Sequence, residues 1–284
     1  MLPFRKILFP ADYSGPCRAI AQHVRDMREH FAAELAVVHA FGLGAFYGEV
    51  AMAEPSAIYE MQRLEEQRLQ EFVARMFPGL HVETFLQQGE PGSVIHDVVQ
   101  HQGADLIMMP THGRGPLRRL LLGSVTAKVL HDVSAAVWTG AQPAVDTHPR
   151  GTYKSILCAV DLSEEAEAVL RAAAALARSF KAQLSLVHVV EMPPPTPEAD
   201  VTLFRDELIQ AANDRMREWK GKLGIDAPHT TIEGATADEV CREAARTQAD
   251  LVVVGRGNVQ GTLSRIWSHL YSIVRDSPCP VLSV

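Results

Sequence analysis

The chain repeats itself. Ile7-Leu8-Phe9-Pro10-Ala11-Asp12-Tyr13-Ser14 returns as Ile156-Leu157-Cys158-Ala159-Val160-Asp161-Leu162-Ser163, and Leu35-Ala36-Val37-Val38-His39 as Leu184-Ser185-Leu186-Val187-His188, both 149 residues on. Ala104-Asp105-Leu106-Ile107-Met108-Met109 returns as Ala249-Asp250-Leu251-Val252-Val253-Val254, 145 residues on. A nearly constant offset over most of a chain means that a whole domain has been duplicated, because the interval is too long for a solenoid repeat. A chain of 284 residues then divides into two domains of ordinary size, each able to bury its own core. We assign residues 1–141 to the first domain, 142–151 to a linker and 152–284 to the second. The segment from Ala141 to Gly151 contains Pro143 and Pro149 and few apolar residues, as a linker should.

Within each copy, short aliphatic runs alternate with longer helical patterns. The expected strands are 7–9, 35–40, 82–86, 106–109 and 136–138, then 155–160, 184–190, 230–232, 251–254 and 281–284. Several are apolar throughout, which suits parallel strands covered on both faces. Between them, Ile58, Met61, Leu64, Leu69, Phe72 and Met76 recur at helical spacing, as do Phe204, Leu208, Ala211, Met216, Trp219 and Leu223; such stripes face a core. Ser163 is expected to cap one helix, and Thr236-x-x-Glu239 to form a capping box on another. The order βαβαβαβαβ in each copy predicts an α/β fold: a five-stranded parallel sheet with helices on both faces, twice over.

Composition excludes several classes. A net charge of −7 argues against broad binding to nucleic acid or to an anionic membrane surface, which needs a basic surface. No apolar run approaches the ~20 residues needed to span a bilayer, and the N-terminus shows no leader pattern. Cys17, Cys158, Cys241 and Cys279 form no C-x-x-C pair and read as free, buried thiols in the cytoplasm. His96 and His101 are five apart, a poor helical match, so no catalytic metal site is expected. There is no Gly-x-Gly-x-x-Gly after a first strand, no P-loop and no nucleophile elbow.

In an open parallel sheet, ligands bind beyond the carboxyl ends of the strands at the switch in strand order. Asp12 directly follows the first strand, where a short acid can accept hydrogen bonds from ribose hydroxyls or an adenine amine. Ala40 ends the second strand and offers backbone groups to a base. After the fourth strand comes Pro110-Thr111-His112-Gly113-Arg114, then Gly115 to Leu122, then Gly123-Ser124-Val125-Thr126. Gly113 and Gly123 permit close backbone approach, and Ser124, Val125 and Thr126 open a helix whose unpaired amides attract phosphate. Arg114, Arg118 and Arg119 can neutralise phosphate charge, and His112 lies beside them.

These residues resemble the universal stress protein family across most of both halves, as in a tandem member. The family's nucleotide motif is Gly-x-x-Gly, nine residues, then Gly-Ser/Thr; the first copy matches it at Gly113, Gly123 and Ser124 and departs at Pro110, which has no amide proton. The resemblance implies two Rossmann-like domains of the adenine nucleotide alpha hydrolase type. It also implies a stress-response role and ATP, with Mg²⁺ accompanying it, held by Asp12, Ala40, His112, Gly113, Arg114, Gly123, Ser124, Val125 and Thr126. It further implies regulation with at most slow hydrolysis or autophosphorylation, a pseudo-dimer of the two copies meeting near Val137 and Val281, and association into homodimers. The alternative is a scaffold that works without nucleotide. The second copy keeps Asp161 and Gly255 but has Asn258 for the second glycine and Ser268-His269 for Gly-Ser. Its phosphate pocket is therefore expected to be filled or remodelled and not to take ATP in the family manner, with Arg256 and Arg265 leaving a weaker anion site.

Overall fold

The computed structural model describes residues 2–42, 55–113, 122–140, 152–192, 201–256 and 263–284, with backbone only at 55–57, 201–204 and 263–268. The chain forms two compact units, one running from Pro3 to Gln142 and the other from Pro143 to Val284. The expected linker lies outside the described residues.

In the first unit the elements run β1 (Lys6–Pro10), α1 (Gly15–Phe31), β2 (Glu34–Phe41), α2 (Pro55–Met76), β3 (Glu83–Gln88), α3 (Pro91–Gln102), β4 (Leu106–Pro110), α4 (Ser124–Asp132) and β5 (Ala136–Gly140). The second unit repeats them as β6 (Ser155–Ala159), α5 (Ala166–Phe180), β7 (Gln183–Val190), α6 (Val201–Leu223), β8 (His229–Glu233), α7 (Thr236–Arg246), β9 (Leu251–Val254), α8 (Leu263–Asp276) and β10 (Val281–Ser283). All ten expected strands are present. Their orders are β3-β2-β1-β4-β5 and β8-β7-β6-β9-β10, and the pairings among β1, β2, β3, β4 and β5 are parallel, as are those among β6 to β10 within the unit. The chain works outward from β1 to β3, then crosses to β4, so the switch in each sheet falls beside its first strand.

Apolar strands without alternation are buried on both faces: β4, β5, β9 and β10 carry no exposed residue. Phe9 meets Phe77 edge-on, with ring centroids 5.7 Å apart, and Trp138 is fully buried beside His23. The duplicated Ala-Asp-Leu has a structural cause. Asp105 accepts hydrogen bonds from the Arg5 and Lys6 amides, and Asp250 from those of Lys154 (2.7 Å) and Ser155 (3.1 Å). Each acid clamps the start of its unit's first strand to the start of the fourth.

Four local expectations change. Leu64 is 46% exposed, so the α2 stripe narrows to Leu69 and Phe72. Among the described side chains of α6 the buried ones are Ala212, Met216 and Trp219, while Ala211 faces solvent and the Phe204 side chain lies outside the described residues. Ser163 does not cap α5: its hydroxyl donates to Asp161 Oδ1 at 2.7 Å, and the helix begins later, at Ala166. The first unit's Ser14 does cap α1, accepting from the Cys17 amide. The capping box also fails, because Ala235 occupies the N-cap position and Thr236 is already helical, giving its amide and hydroxyl to Glu191.

Cys17, Cys158 and Cys279 are buried and free, whereas Cys241 is half-buried. Burial is the main cause that pushes all four thiols up to about 12. A thiol protonated at pH 8 is a poor nucleophile. Native protein at pH 8 is therefore expected to react slowly with a thiol-specific disulfide reagent, Cys241 first, and denatured protein to release four equivalents at once; fast labelling of Cys17 or Cys158 in native protein would contradict this packing. Among the described residues no helix is long and apolar enough to cross a membrane.

Candidate functional site

The site is built at the carboxyl ends of β1, β2 and β4. The chain leaves β1 through Asp12-Tyr13-Ser14. Asp12 Oδ1 accepts from the Ser14 amide at 2.9 Å, and Tyr13 takes a left-handed φ of 59°. The second unit makes the same turn, with Asp161 Oδ1 accepting from the Ser163 amide at 3.0 Å and Leu162 also at 59°. A non-glycine residue in this region costs free energy that the surroundings must supply. Tyr13 is held by stacking on His39, with centroids 4.4 Å apart, and by Phe72. His39 in turn anchors the turn, its Nδ1 lying 2.6 Å from the Ala11 carbonyl; His188 does the same for Val160 at 2.7 Å. Both histidines are structural, as their matched strand-end positions suggest.

Across the gap stands the β4 loop. A Cβ on Gly113 would lie 2.5 Å from Asp12 Oδ2, so any larger residue there requires the carboxylate or the loop to shift. Gly123 donates its amide to the Thr111 carbonyl at 2.9 Å, and its own missing Cβ would lie 3.2 Å from that oxygen. Gly123 is the N-cap of α4 and has no side chain with which to cap it. The helix therefore presents Ser124, Val125 and Thr126 at its positive end without an acid in its first turn. Ser124 is exposed and Val125 half-buried. Thr126 is buried, and its hydroxyl donates to the Pro110 carbonyl at 3.1 Å, which ties α4 to the end of β4.

Pro110 fits this end of β4 without cost to the sheet. The Thr111 amide bonds the Gly140 carbonyl of β5. Backbone groups of successive strand residues point to opposite sides, so the missing proton at position 110 belongs on the β1 side. There β1 and β4 have already parted, their last pair being Leu8 with Ile107.

The same parity exposes the backbone of Ala40. Val38 accepts from Ala11 on the β1 side, and Phe41 accepts from Gly89 on the β3 side. Ala40 thus directs its N–H and C=O toward β1, two residues beyond the last β1–β2 pair, Pro10 with Val38. His112 is half-buried, its Nδ1 3.0 Å from Thr111 Oγ1. Arg114, Arg118 and Arg119 lie outside the described residues. Burial first, then the negative charge of Asp12, raises the Cys17 thiol beneath this turn.

The model of the universal stress protein family matches residues 3–139 and again 152–284. The chain belongs to the universal stress protein family. It carries two tandem universal stress protein domains. A universal stress protein of Methanocaldococcus jannaschii is 29% identical over 142 residues, 49% of this chain and 84% of that protein. A universal stress protein A homolog of Haemophilus ducreyi is 36% identical over 131 residues, 44% of this chain and 87% of the relative. In fold, the chain is similar to a universal stress protein of Archaeoglobus fulgidus solved by crystallography, with a TM-score of 0.68 over 98% of this chain and 95% of that one, at 22% identity.

The second universal stress protein domain keeps the Asp161 turn. His269 stands with Nε2 3.4 Å from Glu191 Oε1, the same oxygen that accepts from Thr236. Among the described residues a cavity of about 280 Å³ lies at the ends of β6, β7 and β9, and His269 is part of its lining. Arg256 lies beside Gly255, and burial lowers its pKa to about 10. Asn258 and the side chains of Arg265 and Ser268 lie outside the described residues. Glu191 carries no motif of its own and was not visible as a site residue from its spacing. His96 and His101 are apart, bonded to the Asp132 and Asp97 carbonyls, and no metal-capable group of three gathers among the described residues.

Proposed function

We propose that the first domain binds ATP, with Mg²⁺ carried on its phosphates, and that the nucleotide governs conformation or partner choice in a cytoplasmic stress response. Turnover is slow at most. The observation that carries this reading is the close approach of Gly113 to the Asp12 carboxylate, where even a Cβ would lie 2.5 Å from Oδ2, together with the start of α4, which has no side-chain cap. An acid takes hydroxyl or amine donors and a helix N-terminus takes phosphate, and a nucleotide carries both kinds of group. Asp12 and the Ala40 backbone would hold ribose and base. The Gly113, Gly123, Ser124 and Val125 amides would hold phosphate, with His112 and Arg114 beside them. Thr126 would contribute its amide only, since its hydroxyl is spent on Pro110.

The test is to denature freshly purified protein and identify released nucleotide by chromatography and mass spectrometry, with Gly123→Val as control. Near-stoichiometric ATP that is lost in the control is the expected result. A second reading, a scaffold independent of nucleotide, is favoured by Pro110, which has no amide to give. Protein that releases no nucleotide and binds none when ATP and Mg²⁺ are added would establish that reading instead.

A further inference from the structure

A cleft between α1 and α2 of the first domain has a counterpart in the second that shows which group belongs there. The cleft holds about 610 Å³ and is lined by Tyr13, Arg18, Arg68, Glu71, Phe72 and Arg75. Arg18 stands near the start of α1, and the last four lie on the C-terminal half of α2. The two copies keep one register across these helices. α1 ends at Phe31 and α5 at Phe180, 149 residues on. The buried pair Leu69 and Phe72 of α2 returns as Met216 and Trp219 of α6, 147 residues on. Arg18 therefore corresponds to Glu167, and Arg75 to Lys222.

In the second domain those two positions pair with each other. Lys222 Nζ donates to Glu167 Oε2 at 2.8 Å, and Arg171 Nε donates to Glu167 Oε1 at 2.9 Å. These bonds, that of Lys222 first, hold the Glu167 carboxyl below the usual carboxylate range. In the first domain the acid is replaced by Arg18, so two cations line the cleft where the second domain has an ion pair. Arg18 gives Nη1 to the Tyr13 carbonyl at 2.7 Å, which uses one of the five donors of a guanidinium. Among the described residues neither Arg18 nor Arg75 has a salt bridge. Arg68 pairs with Glu65 at 2.7 Å, and Glu71 is the one acid of the described lining.

Like charges gathered without a counter-ion repel, and a bound anion relieves the repulsion. Two guanidinium forks match a phosphate in charge and in hydrogen-bond geometry. We propose that this cleft binds a phosphate dianion between Arg18 and Arg75, its oxygens standing where the Glu167 carboxylate stands in the second domain. The lining shares no residue with the proposed nucleotide site, so either site can fail while the other holds.

The test titrates the full chain with inorganic phosphate and with phenyl phosphate at low ionic strength, where such a site is least screened. At pH 8 both are mainly dianions. The arginine Nε–Hε signals are followed by NMR, and those of Arg18 and Arg75 are expected to shift together and to saturate. Arg18→Glu supplies the acid from within the chain, as Glu167 does in the second domain. It should weaken phosphate at least about tenfold without lowering the thermal midpoint. Glu71→Gln should strengthen phosphate binding, and Gly123→Val, which closes the nucleotide pocket, should leave it unchanged. Tighter binding of phenyl phosphate assigns the cleft to a phosphomonoester, and equal binding assigns it to the free ion. Unmoved Arg18 and Arg75 signals, undiminished affinity in Arg18→Glu, loss of the titration in Gly123→Val, or acetate binding as well as phosphate would each overturn the proposal.

Discussion

Gly113→Val is expected to lower ATP affinity at least about a hundredfold, which corresponds to about 2.8 kcal/mol. The new Cβ would start 2.5 Å from Asp12 Oδ2. The carboxylate cannot simply swing aside, because Oδ1 is held by the Ser14 amide and the turn around it is fixed by Tyr13 against His39. It must either break that bond or displace the loop, and both remove the acid from the place where ribose or base would meet it. A hydrogen bond to a charged group contributes about 1.5–3 kcal/mol, so losing the acid and the close backbone approach together reaches the expected size. Calorimetric titration of ATP with Mg²⁺ into parent and variant measures it, and a thermal scan checks that the variant is folded. Asp161→Asn in the second domain is the control and should leave ATP affinity unchanged. Equal affinity in parent and Gly113→Val would remove the nucleotide from this site.

The second large effect concerns stability. Asp250→Ala is expected to destabilise the second domain by about 2 kcal/mol, since each of the two part-buried donors left without its acceptor costs toward the low end of roughly 1–3 kcal/mol. Asp250 is 6% exposed and accepts from two backbone amides at the start of β6, those of Lys154 and Ser155. Alanine leaves both without that acceptor and opens a gap between the starts of β6 and β9. Such a loss is a large part of the roughly 5–15 kcal/mol that holds a domain together. Hydrogen exchange should show it first as faster exchange at the Lys154 and Ser155 amides, accompanied by a lower thermal midpoint. Asp105→Ala should cost less, because Asp105 is half-buried where Asp250 is buried. Unchanged exchange at those two amides would mean that the clamp is not what holds the strand.

Much of the fold was legible from residue order. Duplication divided the chain, and uninterrupted aliphatic runs such as Leu106 to Met109 could only be strands covered on both faces. Helix ends were harder to read. Ser14 and Ser163 follow the same acid at the same spacing, yet Ser14 caps its helix and Ser163 does not, because a serine hydroxyl has two acceptors or donors within reach and packing chooses between them. Thr236 and Glu239 match a capping box by spacing, but Glu191, 45 residues away, takes the Thr236 amide and hydroxyl.

By itself the sequence determined the α/β class, the two domains, the positions of Asp12, Gly113 and Gly123, and the replacement of the second and third motif glycines in the second copy by Asn258 and Ser268. These follow from period, composition and motif spacing, which are local properties of the chain. Only the tertiary structure decided that Gly113 lies so near Asp12 that a Cβ would meet its carboxylate, that Thr126 turns its hydroxyl to Pro110, that Ala40 faces the open side of β2, and that a cavity in the second domain is lined by Asp161 and Glu191. Each of these depends on which residues distant in sequence come within a few ångströms of one another, and side-chain hydrogen bonds and cavity shape are set by those contacts.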